Sequence, residues 1–215
     1  MKNRFDLIIF DWDGTLIDSV DWIVYCIQQA AIRHHCRVPD VQAAKDIIGL
    51  SIEKAITQLF PDIDDSLREK IVADYAQTFF SKDISRADLF PGVYEMLQQF
   101  KVNGYQLAIA TGKKSRGLAQ AVVATELADL FAATRSSDQA ESKPNPLMIN
   151  QIISELGVDK QRVLMVGDSV HDLQMAMNAG IAAIGVTCGA HSAEILQHYQ
   201  PLMCLSYPTD LLEFL

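Results

Sequence analysis

The stretch LIIFDWDGTLIDS, residues 7–19, sets three carboxylates (Asp11, Asp13 and Asp18) directly after a short apolar run. Leu7–Phe10 is brief, carries β-branched residues and ends in a charged, glycine-containing turn, which predicts a buried strand. Two aspartates one residue apart repel each other and lose hydration on burial unless something positive lies between them. Solvent, a basic side chain or a metal ion would each meet that need, and the rest of the chain has to choose among them.

Outward from this stretch the apolar period changes. Val20, Ile23, Val24, Ile27 and Ala31 share one helical face, and that segment runs out near Val38–Pro39. Asp40 reads as the N-cap of a helix closed by Gly49, and Ser51 as the cap of a third helix carrying Ala55, Ile56 and Leu59. After the acidic turn Pro61–Asp65, Ser66–Glu69 fits a capping box ahead of Ile71, Val72, Tyr75 and Phe79. Residues 19–84 therefore hold helix candidates and no strand candidate.

Beyond them the chain alternates. A helix spans Gly92–Lys101, then strand Gln106–Gly112, a helix, a short strand Ala132–Arg135 and helix Asn145–Leu156. Strand Arg162–Asp168, another helix ending at Gly180, and strand Ala182–Cys188 follow. Near-continuous apolar strands between helices predict a parallel sheet covered on both faces. The expected fold is an α/β core of residues 1–18 and 85–215, interrupted after its first strand by an all-helical cap of residues 19–84.

Open sheets of this kind bind ligands beyond the carboxyl ends of their strands. The first strand ends at Asp11–Trp12–Asp13 and the next long one at Thr111–Gly112–Lys113. A later strand ends at Gly167–Asp168–Ser169, with Asp172 one helical turn on, and Lys143 opens the helix before it. Clustered acids favour a hard cation with oxygen ligands, and Mg²⁺ suits them because it keeps several waters and pairs with substrate phosphate. The histidines are scattered, and Cys26, Cys36, Cys188 and Cys204 have no ligand spacing, so zinc is not indicated. A metal beside an aspartate, a threonine hydroxyl, backbone amides and a lysine is the inventory for phosphoryl transfer.

DWDGTLIDS, ATGK, SKPNP and GDSVHDLQMAMNAG, in that order, resemble the four motifs of the haloacid dehalogenase superfamily of phosphohydrolases. The overall pattern is similar to phosphoglycolate-phosphatase-like members, which carry a helical cap after the first motif. The resemblance implies a Rossmann-like core in which Asp11 is the nucleophile that forms an aspartyl-phosphate. It implies that Asp13 protonates the leaving group and then activates water. Thr111 and the Gly112 amide would bind the transferring phosphoryl group, and Lys143 would steady it and Asp11. Asp11, the Asp13 main-chain carbonyl and Asp168 would hold Mg²⁺, with Asp172 acting on metal-bound water or on Lys143. Gly49, Leu50 and Ser51, between two cap helices, are the candidates for substrate contact.

The expected activity is Mg²⁺-dependent hydrolysis of a small phosphorylated metabolite. Phosphoglycolate is the family-level expectation; sugar phosphates, nucleotides, flavin mononucleotide and pyrophosphate are alternatives. The second aspartate, Asp13, separates the chain from dehalogenases. A phosphonatase on the same scaffold stays open, because Lys45 and Lys54 flank the cap loop and offer a Schiff-base amine; a phosphomutase ranks lower, because no basic, sugar-recognising cluster lies near that loop. A binding or regulatory protein is the third reading, and the filled catalytic positions speak against it.

Composition narrows the partners. The chain has 215 residues, 49% of them hydrophobic, enough for a core without disulfides. Its formal net charge of −9 argues against a duplex nucleic-acid partner. No stretch approaches the roughly 20 apolar residues of a membrane span, and the N-terminal apolar run is too short for a signal peptide. A cytoplasmic monomer is the expectation. Among the remaining residues, Trp12 should pack in the core, Asp18 and Ser19 suit a helix cap, and His34–His35 suit a solvated helix end. Lys113 and Lys114 read as a solvated helix start or an anion guide, and His171 occupies a variable slot between two site acids.

Overall fold

The computed structural model describes residues 4–215. Six parallel strands form one sheet: β1 (Leu7–Phe10), β2 (Gln106–Ala110), β3 (Ala133–Arg135), β4 (Val163–Gly167), β5 (Ala182–Val186) and β6 (Cys204–Leu205), in the order β3-β2-β1-β4-β5-β6. β1 is central, with Phe10 in register with Ile109 on one side and Val166 on the other. The order reverses at β1, so a crevice opens at its carboxyl end, where Asp11 stands.

Alternation along the strands feeds two separate cores. Ile8, Phe10, Leu107, Ile109, Leu164 and Val166 join one apolar cluster, which also contains Trp12. Leu7, Ile9, Ala108, Ala110, Val163 and Met165 join the other.

Nine α-helices complete the described chain. Four lie between β1 and β2's leading helix: α1 (Val20–Arg33), α2 (Val41–Lys45), α3 (Ile52–Leu59) and α4 (Asp65–Phe79). The others are α5 (Val93–Val102), α6 (Ser115–Ala124), α7 (Leu147–Leu156), α8 (Val170–Ala179) and α9 (Ala193–Gln197). α5 and α6 cover the first face through Leu97, Phe100 and Leu118. α7 and α8 cover the second through Met148, Ile152, Leu173 and Met175. The first four helices gather apolar clusters of their own, one around Ile23, Ile27, Ile47 and Phe79 and another around Ala31, Ile56 and Ile71. None of the described helices is long and apolar enough to cross a membrane.

Several local expectations need correction. α4 starts at Asp65, and the Asp64 carboxylate, not Ser66, accepts its capping bond from Leu67 N at 2.8 Å. Aspartate caps as well as serine does, and the earlier start adds hydrogen-bonded residues to the helix. α2 stops at Lys45 rather than running to Gly49, whose φ of +100° lies outside any helix. Ser19 stands at the N-cap position of α1 but makes no capping bond with its side chain. Of His34–His35 only His35 is exposed as expected; His34 is partly buried, with its Nε2 2.9 Å from Asp74 Oδ2 on α4. β6 was not anticipated, because two residues at a sheet edge carry no readable period. Gly180 does end α8 in the left-handed conformation, at φ +69°.

Candidate active site

The turn after β1 is built by its own backbone. Asp11 N continues the ladder to Val166 O at 3.0 Å, and Trp12 O then accepts from Leu16 N at 2.9 Å. Gly14 sits at φ +78°, and a Cβ there would fall 2.3 Å from Asp168 Oδ2, so the turn needs glycine. Its compactness lets Thr15 Oγ1 donate to Asp168 Oδ1 at 2.8 Å, while Ala190 N donates to Asp168 Oδ2 at 2.8 Å.

Asp172 opens α8 in a capping box. Its Oδ2 accepts from Ser169 Oγ at 2.6 Å and from Ser169 N at 3.1 Å, which leaves Oδ1 free to face Lys143. Lys143 Nζ donates to that oxygen at 2.6 Å and lies 2.7 Å from Asp11 Oδ1. The side chain of this lysine is 0% exposed. Burial by itself would pull its ammonium down, but the carboxylates of Asp11 and Asp172 outweigh burial and hold it above the ordinary lysine range.

The acids respond in the opposite sense. Burial, and then repulsion from Asp172, push Asp11 well above the usual carboxylate range against the pull of Lys143. Burial and the same repulsion bring Asp168 up to about 7. Oxygens of Asp11, Asp168 and Asp172 lie within 4.8 Å of one another, and Asp11 Oδ1 is buried without a well-aligned hydrogen bond. One lysine against three buried carboxylates leaves the cluster short of positive charge, and oxygen-only donors suit a hard divalent cation.

Asp13 points elsewhere. Ser19 Oγ donates to its Oδ1 at 2.8 Å, and Lys113 Nζ lies 3.1 Å from its Oδ2. Thr111 is buried beside Asp11's end of the sheet, its N bonded to Arg135 O at 3.0 Å. Asp11, Asp13, Thr111 and Gly112 line one cavity together with Gly49 and Leu50 from the helical insert. Ser51 is not in that lining; its N donates to Ser142 Oγ at 2.8 Å and ties the insert to the core. His171 does similar work, its Nε2–H donating to Asp46 O at 2.9 Å. Lys45 and Lys54 are also absent from the cavity lining, and Lys54 Nζ donates instead to Ser142 O at 3.4 Å.

The family model for haloacid dehalogenase-like hydrolases matches residues 8–186. The chain belongs to this family. It is 37% identical over 199 residues to the protein named "Probable phosphatase IndB" of Dickeya dadantii, covering 91% of this chain and 86% of that one. It is 30% identical over 209 residues to the phosphoglycolate phosphatase of Vibrio vulnificus, covering 93% and 91% of the two chains. The solved structure of a hydrolase from Pseudomonas syringae superposes with a TM-score of 0.88 at 22% identity, over 98% of this chain and 97% of that one, and shares the fold.

Within this haloacid dehalogenase-like site, four contacts escaped the sequence reading. Lys113 on Asp13 was legible only as part of Ala110–Lys113, where a helix start explains a lysine equally well. Ser19 was assigned to α1 as a cap, although its hydroxyl reaches back to Asp13. Ser142 meets the insert at Ser51, and Tyr75 turns into the cavity from a face read as core.

The closeness of insert and core predicts the effect of one methyl group. A Cβ on Gly112 would lie 2.3 Å from Leu50 O and 2.5 Å from Gly49 O, both backbone atoms. Gly112→Ala should therefore force the 49–51 turn off the core and lower kcat/KM by about tenfold or more, since misplaced groups are costly in catalysis. Its thermal midpoint should change little, because the turn is peripheral to both cores. Steady-state kinetics and a melt on one preparation check this; unaltered kcat/KM would mean that the contact is not kept during turnover.

Proposed function

We propose that this chain is a Mg²⁺-dependent phosphatase that hydrolyses a small phosphorylated metabolite through an aspartyl-phosphate on Asp11. The observation that carries the reading is Lys143, buried between Asp11 and Asp172 with Asp168 beside them, where Asp11 itself lines a cavity together with Thr111 and Gly112. The phosphatase names of the two curated relatives point the same way.

In this reading an Asp11 carboxylate oxygen attacks phosphorus and the bond to the leaving oxygen breaks. Asp13 gives its proton to that oxygen, so the alcohol departs neutral. Water then attacks the same phosphorus, Asp13 takes its proton, and the bond to Asp11 breaks to release phosphate. The Thr111 hydroxyl and the Gly112 amide hold the transferring group, and Lys143 balances charge on it and on Asp11. Asp11, Asp168 and the Asp13 carbonyl would hold Mg²⁺, which supplies neutralisation of phosphoryl charge when bound. Asp172 fixes Lys143. Residues 1–18, of which 1–3 lie outside the described residues, and 85–215 are assigned to the catalytic core, and residues 19–84 to a cap that excludes water.

Phosphate release from a panel of phosphorylated metabolites, with and without Mg²⁺, tests the proposal. Metal-dependent release from at least one compound is expected; folded protein that releases none would sink it.

The acid cluster also predicts a pH signature. Asp168, held at about 7, binds its proton more tightly folded than unfolded. The contribution of this group to the stability of the metal-free protein should then be complete below the ordinary aspartate value and fall by a few kcal/mol as pH rises from about 4 through about 7. Melts in chelator at about pH 5 and about pH 8 should differ accordingly, and Mg²⁺ should raise the higher-pH melt more, because it binds the deprotonated acids. Asp168→Asn should flatten the trend; an equally steep trend in that variant would assign it to other groups.

A further inference from the structure

The cavity above Asp11 measures about 140 Å³, and its lining divides by origin. The core supplies the polar floor. The insert supplies Ile23, Ile27, Leu50, Val72, Phe79 and their neighbours, and among its lining residues only Tyr75 carries a polar side chain. A substrate body that extends from Asp11 into this cavity meets an apolar vault.

The cations within reach are committed. Lys113 Nζ lies 3.1 Å from Asp13 Oδ2 and 4.3 Å from the centre of the Phe79 ring. Lys114 Nζ lies 2.6 Å from Glu53 Oε1, in a pair that is about half exposed. No arginine lines the cavity. A leaving group with a carboxylate or a second phosphate would give up its hydration against apolar walls, where the nearest lysines of the resting site already face Asp13 and Glu53. An uncharged body gains from the same walls, and an apolar cavity of roughly 150 Å³ is known to hold a benzene ring. The Tyr75 hydroxyl makes no hydrogen bond to another described residue, and burial, reinforced by Asp13, keeps the phenol protonated. It offers one neutral hydrogen bond and no charge.

We propose that this cavity selects a phosphate monoester whose leaving alcohol is uncharged and carries a ring-sized, largely apolar portion, an inference that rests on the phosphatase reading above. It separates this chain from an enzyme adapted to phosphoglycolate or pyrophosphate, whose leaving groups are anions.

The test is steady-state phosphate release, with Mg²⁺, from benzyl phosphate, ethyl phosphate, phosphoglycolate and pyrophosphate. Benzyl and ethyl phosphate both release simple primary alcohols, so their comparison isolates the ring. The kcat/KM for benzyl phosphate should exceed those of the other three by about tenfold or more. Val72→Trp, which fills the vault from α4, should lower kcat/KM for benzyl phosphate more than for ethyl phosphate, with a melt to verify folding. Phosphoglycolate or pyrophosphate turned over as well as benzyl phosphate would overturn the inference and leave the phosphatase reading standing. So would equal values for the benzyl and ethyl esters. Release from none of the four, at the level of Asp11→Asn, would instead remove the phosphatase reading and this inference with it.

Discussion

Asp11→Asn should reduce phosphate release by about four orders of magnitude or more and leave the thermal transition unimpaired. The amide keeps the shape of the carboxylate but cannot form the aspartyl-phosphate, so no weaker version of the same step remains. Asp11 is essentially without solvent exposure, and burial and its acidic neighbours already work against its charge. Replacing that charge by a neutral amide relieves repulsion from Asp168 and Asp172, while Lys143 keeps its hydrogen bond to Asp172. Metal-free Asp11→Asn should therefore melt at or above the wild-type temperature, the pattern of a site where function is maintained against stability. Both quantities come from one preparation by phosphate assay and calorimetry. Wild-type turnover in the folded variant would dismantle the mechanism; a large fall in melting temperature would show that Asp11 is structural as well.

What the sequence made legible, and what it did not, follows from the range over which each interaction acts. β1, β2 and β4 are buried apolar runs ended by polar turns, and strand ends in a parallel sheet lie on one edge. Asp11, Thr111 and Asp168 could thus be brought together without knowing a single contact. Lys143 was legible through its motif, since nothing in Ser142–Pro146 itself says that the ammonium reaches Asp172. Side chains that choose between a local and a distant partner were the ones misread. Ser19 could cap α1 or reach Asp13, and His34 could meet solvent or Asp74; in both the distant partner won. Asp64 and Ser66 are both good caps two residues apart, and only packing of α4 selects between them. Tyr75 shares a helical face with Ile71 and Val72, a period that marks burial without telling a core from a cavity wall.

Lys143→Met carries the second large expectation, and its logic is charge balance. The ammonium stands 2.7 Å from Asp11 and 2.6 Å from Asp172, fully out of solvent. Without it, the acids Asp11, Asp168 and Asp172, within 4.8 Å of one another, have no cation among them, and Asp172 loses its buried partner. Breaking a buried charge pair by deleting one partner costs about 3–5 kcal/mol, and metal-free Lys143→Met should show a loss of that order in a denaturant titration. The sign holds at neutral pH: the folded lysine titrates above its ordinary value, so its stabilisation is complete below that value and fades only in strong alkali. Adding Asp172→Asn to Lys143→Met should recover part of the stability, because one of the stranded charges is gone, and the two substitutions should be strongly non-additive. Turnover should not recover, since nothing then balances charge on Asp11 and the transferring phosphoryl group. A double variant as stable as wild type and still inactive would separate the lysine's structural role from its catalytic one. Recovery of turnover along with stability would mean that Lys143 only holds the acids in place and takes no direct part in the chemistry.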